Sequence, residues 1–172
     1  AGNVVTKEVM ITVKQTGSTM NGHDSTLIIG PKTKWQASDN FDGVTDENGK
    51  PLDFSNVKVI GDVDLSKAGQ NSIRYQYTDA AGNVVTKEVT VTVKQTAGVI
   101  NGHDSTLIKG PKTKWQASDN FDGAMDENGN LINFQSIKTT NNVDLTKLGQ
   151  YTVTYQYTDT LGNSIVKSVQ VK

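Results

Sequence analysis

The sequence predicts an all-β protein built as two tandem antiparallel β-sandwich domains. Three observations predict it: a repeat of 80 residues, strand-type alternation inside each copy, and turn-forming residues between the alternating runs. Laying 17–92 over 97–172 without gaps gives 44 identities in 76 positions. The stretch GPKTKWQASDNFDG at 30–43 returns unchanged at 110–123. Residues 1–16 match 81–96 at 14 of 16 positions. The expected organisation is therefore the last strand of a preceding repeat at 1–16, a first repeat at 17–96 and a second at 97–172. An 80-residue unit is long for a solenoid repeat and suits a small domain with its own core.

Taken in chain order, 1–16 is an amphipathic strand without its own domain, and its Val5, Val9, Ile11 and Val13 face needs a cover. A neighbouring domain or the edge of another chain is expected to supply it. Short strands are expected at 25–29, 34–37, near 44–46 and at 56–60. DENGK and DENGN carry Asn-Gly and read as turns; DLSKAGQ and DLTKLGQ read as polar corners. The strongest strand signal is at 71–79, where Ile73, Tyr75 and Tyr77 share one face and Arg74, Gln76 and Thr78 the other. AAGN then leads into VVTKEVTVTVK, whose Val85, Val89, Val91 and Val93 fall on one side, so the two runs form a hairpin. Val153, Tyr155, Tyr157, LGN and then Ile165, Val169 and Val171 repeat the pattern. No segment sustains a 3.6-residue apolar period.

Composition narrows the function classes. The 172 residues hold 17 Lys and Arg against 18 Asp and Glu, a net charge of −1, and no basic run of the kind nucleic-acid binding needs. No apolar run approaches the roughly 20 residues that span a bilayer, so membrane insertion is not expected. The absence of cysteine excludes disulfides, thiolate metal sites and cysteine nucleophiles.

The Asp- and Asn-rich loop is the constellation with ligand chemistry. Asp39, Asn40, Asp42 and Asp46, with Asp119, Asn120, Asp122 and Asp126 in the second copy, offer the oxygens calcium prefers. As an EF-hand it fails, because Gly49 stands where the bidentate Glu belongs. A solvated turn whose side chains cap their own backbone is the competing and favoured reading. Trp35 and Trp115 are candidate ligand-binding platforms for sugars, although polar Lys34 and Gln36 flanking Trp35 favour packing on a core. His23, Asp24 and Ser25 stand in a row and point to alternate sides of an extended chain, which no catalytic relay tolerates. Without a clustered acid–base or nucleophile set, no enzyme is expected. An isopeptide bond from Lys34 or Lys87 would need a buried lysine.

The order DSTL…G…W.A.DNFDG…D.NG…VDL.K.GQ…YQYTD..GN…V.V.V resembles the bacterial immunoglobulin-like domain of group 3. Such domains occur in tandem in surface proteins of Gram-positive bacteria, internalin-like proteins included. The resemblance covers nearly all of each unit, and 64–69 leading into Tyr75-Gln76-Tyr77 is its most specific part. It implies immunoglobulin-like sandwiches acting as a non-enzymatic spacer that projects a binding domain from the cell wall. The implied location is extracellular, on the surface of a cell-wall-anchored parent protein, with neighbouring repeats as partners. An adhesion module whose repeated loops bind host glycan, mucin or protein is the alternative. No cofactor is implied beyond the calcium candidates.

Overall fold

In a computed structural model, residues 2–172 are described. They contain twelve β-strands, four short 3-10 turns and no α-helix. In the first repeat the strands are β1 (Met20–Gly22), β2 (Ser25–Ile28), β3 (Phe41–Thr45), β4 (Pro51–Leu52), β5 (Lys58–Ile60), β6 (Gly69–Thr78) and β7 (Val84–Lys94). One sheet has the order β1-β3-β4 and the other β2-β7-β6-β5. β2 runs parallel to β7, with Ser25 opposite Val91; β1 with β3 and β5 with β6 are antiparallel.

The second repeat contributes β8 (Val99–Gly102), β9 (Phe121–Met125), β10 (Lys138–Asn141), β11 (Tyr151–Thr158) and β12 (Ser164–Val171). β8 pairs with β9, and β10-β11-β12 form the other sheet. Ser105 bridges Val171 in parallel and Met125 bridges Leu131, which are the shortened counterparts of β2 with β7 and β3 with β4. The all-β architecture is thus that of tandem immunoglobulin-like sandwiches.

The period-two faces pack as their alternation requires. Ile73, Tyr75, Val89, Val91 and Val93 are buried, as are Val153, Tyr155, Val169 and Val171. In the second repeat Ile100, Ala124 and Ile137 join Val153, Tyr155, Val169 and Val171 in one cluster. Leu107, Trp115, Phe121 and Phe134 pack against it. Residues from both sheets interdigitate there, so the core is the sandwich interior. Both hairpin turns need glycine. Gly82 and Gly162 turn the hairpins at φ +84° and +85°, which L side chains rarely adopt.

The chain divides into two compact units. One comprises Ala1–Asp24, Ala37–Asp62 and Ser72–Thr90, the other Ser25–Gln36, Val63–Asn71 and Val91–Lys172.

Several expected elements differ. Residues 34–37 form no strand and lead into the 3-10 turn Ala37–Asn40; in the second copy the matching segment is extended at Gln116 and is held by bonds from Trp115 to Asn120 and from the Gln116 N–H to Asp119. The strand expected near 44–46 is longer and begins at Phe41, while β1, β4 and β8 carry too little alternation to show in sequence. The stretch 1–16 is the largest departure. Ala1 lies outside the described residues; 2–16 form no strand, and Val5, Val9, Ile11 and Val13 stand exposed rather than covered. The physical reason is pairing: β7, its sequence twin, is held by β6 and β2, and among the described residues no second copy of those strands flanks 2–16. Only its end is tied, where the Thr16 hydroxyl donates to Asp79 at 2.8 Å.

Candidate functional site

The loop that held the calcium candidates is organised around a buried asparagine. Asn120 is fully buried; its Nδ2 donates to the His103 carbonyl at 2.8 Å, while its backbone carbonyl accepts from the His103 N–H at 3.1 Å. Its Oδ1 accepts from the Trp115 indole N–H at 2.8 Å and from the Ser105 hydroxyl at 3.4 Å. Asn40 is buried in the same way, with Nδ2 2.8 Å from the His23 carbonyl. The amide therefore fastens the Trp-bearing loop to the strand-entry segment.

The neighbouring carboxylates have equally local roles. Asp42 and Asp122 each meet a histidine, His23 and His103, at 2.8 Å on the exposed side. Asp119 accepts from the Gln116 N–H at 3.0 Å and closes a capping box on the 3-10 turn. Asp39 also has an interaction partner. Asp46 accepts from the N–H groups of Asn48 and Lys50 at 2.9 and 2.8 Å, shaping the hairpin turn. Asp126 does the same for Asn128 and Asn130, and the Asn130 side chain foremost holds its pKa below the usual carboxylate value. Among the described residues no group of three or more His, Cys, Asp or Glu is arranged to hold a metal ion. Since each of these carboxylates already accepts from a protein donor and none is grouped with others for a metal, melting temperatures in calcium and in EDTA are expected to coincide. A calcium-dependent rise would restore the loop as a cation site.

His23, Asp24 and Ser25 disperse. His23 turns to Asp42, whereas Asp24 accepts from the Thr90 N–H at 2.7 Å. Their counterparts repeat this, Asp104 accepting from the Gln170 N–H at 2.9 Å. Among the described residues no lysine is buried, so the isopeptide idea loses its required group.

Both tryptophans are half-buried. Trp115 packs against the second core, yet it also borders an open groove of about 550 Å³ lined by Thr113, Lys114, Gln116, Asp119 and Leu145. Core packing and a partly displayed ring coexist at this position.

Sequence reasoning missed the buried Asp at the hairpin turns. Asp79 accepts from the N–H groups of Ala81 and Asn83, from Asn83 Nδ2 at 2.9 Å and from the Thr16 hydroxyl. The signal was the spacing Asp-x-x-Gly-Asn, present in both copies. The Asn83 side chain foremost lowers the Asp79 pKa to about 2, with the Thr16 hydroxyl and the turn N–H groups assisting against burial. A depressed carboxyl stabilises the fold above its unfolded value near 3.8 and loses that contribution as pH falls through about 2. Asp79→Asn is therefore expected to melt lower than the wild type at pH 5. The gap should close between pH 4 and 2; a gap constant across that range would contradict the assignment. In the second repeat Asp159 keeps the turn bonds, while Glu127 is buried beside Thr160, whose hydroxyl donates to it.

The model of the bacterial Ig-like domain (group 3) family matches residues 20–93 and 100–171. The chain belongs to this family. Its two matched stretches carry the sandwich and loop features described above for each repeat. None of the curated proteins matches the chain. Among solved structures, the M60 catalytic domain with two CBM51 domains of ZmpB from Clostridium perfringens is similar at 12% identity and a TM-score of 0.40. That match covers 94% of this chain and 31% of that one. CBM51-2 in complex with GlcNAc and INT domains of the same protein aligns at 15% identity and a TM-score of 0.39, over 82% of this chain and 30% of that one. A lipoprotein from Bacteroides thetaiotaomicron follows at 14% identity and 0.35, covering 79% and 60%. The chain thus spans about a third of the length of the first two structures. Among the described residues no helix is long and apolar enough to cross a membrane.

Proposed function

We propose that this group 3 Ig-like chain is a non-enzymatic structural spacer of a bacterial cell-surface protein, built from repeats 17–96 and 97–172. Its role is to hold another domain away from the cell wall. The observation that carries this reading is where the polar residues of the repeated loop go. Asn40, Asp42, Asp46 and their counterparts are spent on holding corners, leaving a sandwich whose strength lies in its core and ladders. Extracellular location on the surface of a cell-wall-anchored parent follows from the same reading.

The test is length. Chains of two, three and four repeats are expected to gain a constant increment in maximum dimension by small-angle scattering. A strand of ten residues, as in β6, spans about 33 Å at roughly 3.3 Å per residue, so at least that is expected for each added repeat. A dimension that stays flat as repeats are added overturns the spacer.

A second reading is favoured by one observation, the Trp115 ring bordering an open groove. In it the repeats bind host glycan, mucin or protein, and tandem display multiplies weak contacts. Saturable glycan binding by the intact chain, lost in Trp35→Phe/Trp115→Phe without a change in melting, would put adhesion in place of spacing.

A further inference from the structure

We infer that corner 108–113 of the second repeat is a seat for the hairpin turn of a following copy of the same repeat. The inference deepens the spacer reading by naming the contact that would stiffen an array of these repeats.

The seat can be read from its filled twin. Within the unit that contains Ser25–Gln36 and Val91–Lys172, the turn 159–163 lies on corner 28–33. The Lys32 N–H donates to the Leu161 carbonyl at 2.9 Å, and Asn163 Nδ2 donates to the Ile29 carbonyl at 2.9 Å. The approach is close enough to demand glycine. A Cβ on Gly30 would stand 2.6 Å from the Leu161 Cβ and 2.9 Å from its carbonyl oxygen. Gly30 does not have positive φ, so contact and not backbone conformation explains its residue type.

Corner 108–113 is built to the same plan. Thr113 donates its N–H to the Gly110 carbonyl at 3.1 Å and its hydroxyl to the Ile108 carbonyl; Thr33 does both to Gly30 and Ile28. Gly110 likewise lacks positive φ, and a Cβ there would meet only Thr113 Oγ1 at 3.6 Å. Its glycine thus has no cause among its own surroundings, but it is the residue an arriving turn requires. Ile108 is 87% exposed, whereas Ile28 at the filled corner is half-buried.

The occupant is equally specified. Turn 79–83 of the first repeat has the internal bonding of turn 159–163. Asn83 binds Asp79 as Asn163 binds Asp159, and Gly82 and Gly162 share their positive φ. Every repeat therefore carries one seat and one matching turn, formed by different segments of its sequence. Such a contact is heterologous and does not close on itself, so it propagates along the chain.

The test extends the full chain after Lys172 with a further copy of 93–172. Amide exchange at Lys112, read by nuclear magnetic resonance, is expected to slow by about tenfold or more in the three-repeat chain, as protection by a new hydrogen bond requires. Gly110→Val is expected to abolish that slowing while leaving the melting of the two-repeat chain unchanged. Lys112 exchanging as fast with three repeats as with two, or slowed regardless of Gly110→Val, overturns the seat. The scattering increment per repeat is read on the same chains, so a lost seat with a constant increment leaves the spacer standing. Protection at Lys112 without an increment does the reverse.

Discussion

Tyr155→Ala is expected to cost the second repeat about 3–5 kcal/mol, the range for deleting a buried aromatic ring. Tyr155 is fully buried. Its ring meets Phe121 edge-on at 5.7 Å and Phe134 at 6.3 Å, and those two rings are 5.0 Å apart. Its hydroxyl donates to the Ala117 carbonyl at 2.7 Å, tying the 3-10 turn to the core. Alanine would remove the centre of this trio and leave the carbonyl without its donor. Small domains hold only about 5–15 kcal/mol of stability, so the loss approaches unfolding. Tyr155→Phe keeps the rings and forfeits the hydrogen bond alone, about 1 kcal/mol. Urea unfolding followed by Trp115 emission in a Trp35→Phe background measures both. Equal midpoints for the two variants would show that the ring trio does not hold the core.

Asn120→Leu is expected to be the next most damaging substitution, although leucine matches asparagine in length. It would strand the His103 carbonyl and the Trp115 indole N–H beside a fully buried side chain. Each orphaned group costs about 1–3 kcal/mol. Asp122→Asn, two residues on, alters an exposed contact with His103 and is expected to change stability by about 0.5 kcal/mol or less. The contrast separates a structural pin from a cation-binding loop. A neutral Asn120→Leu beside a costly Asp122→Asn would reverse the assignment.

Legibility in the sequence followed the range of the forces involved. Ile73, Tyr75, Val89 and Val91 announced their burial because a strand with one wet face must alternate, and the structure buries all four. The hairpin at Gly82 was readable because a tight turn with positive φ leaves few residue choices. The short strands β1 and β4 were not, since three or two residues carry no period and owe their state to the partner β3. Nor could the sequence say whether 1–16 is covered. Its pattern is that of β7, and its fate depends on a partner strand rather than on its own residues.

By itself, then, the sequence determined the repeat, the all-strand character, the inward faces and the family resemblance, because these rest on period and local backbone preference. Tertiary structure alone decided what Asn40 and Asn120 do, and that Asp79 also receives the Thr16 hydroxyl. An amide or carboxylate looks the same in a chain whether it meets an ion or a neighbouring N–H, and only packing selects between them. It also decided why Gly30 is glycine, since the atoms that exclude a side chain there belong to Leu161, 131 positions along the chain.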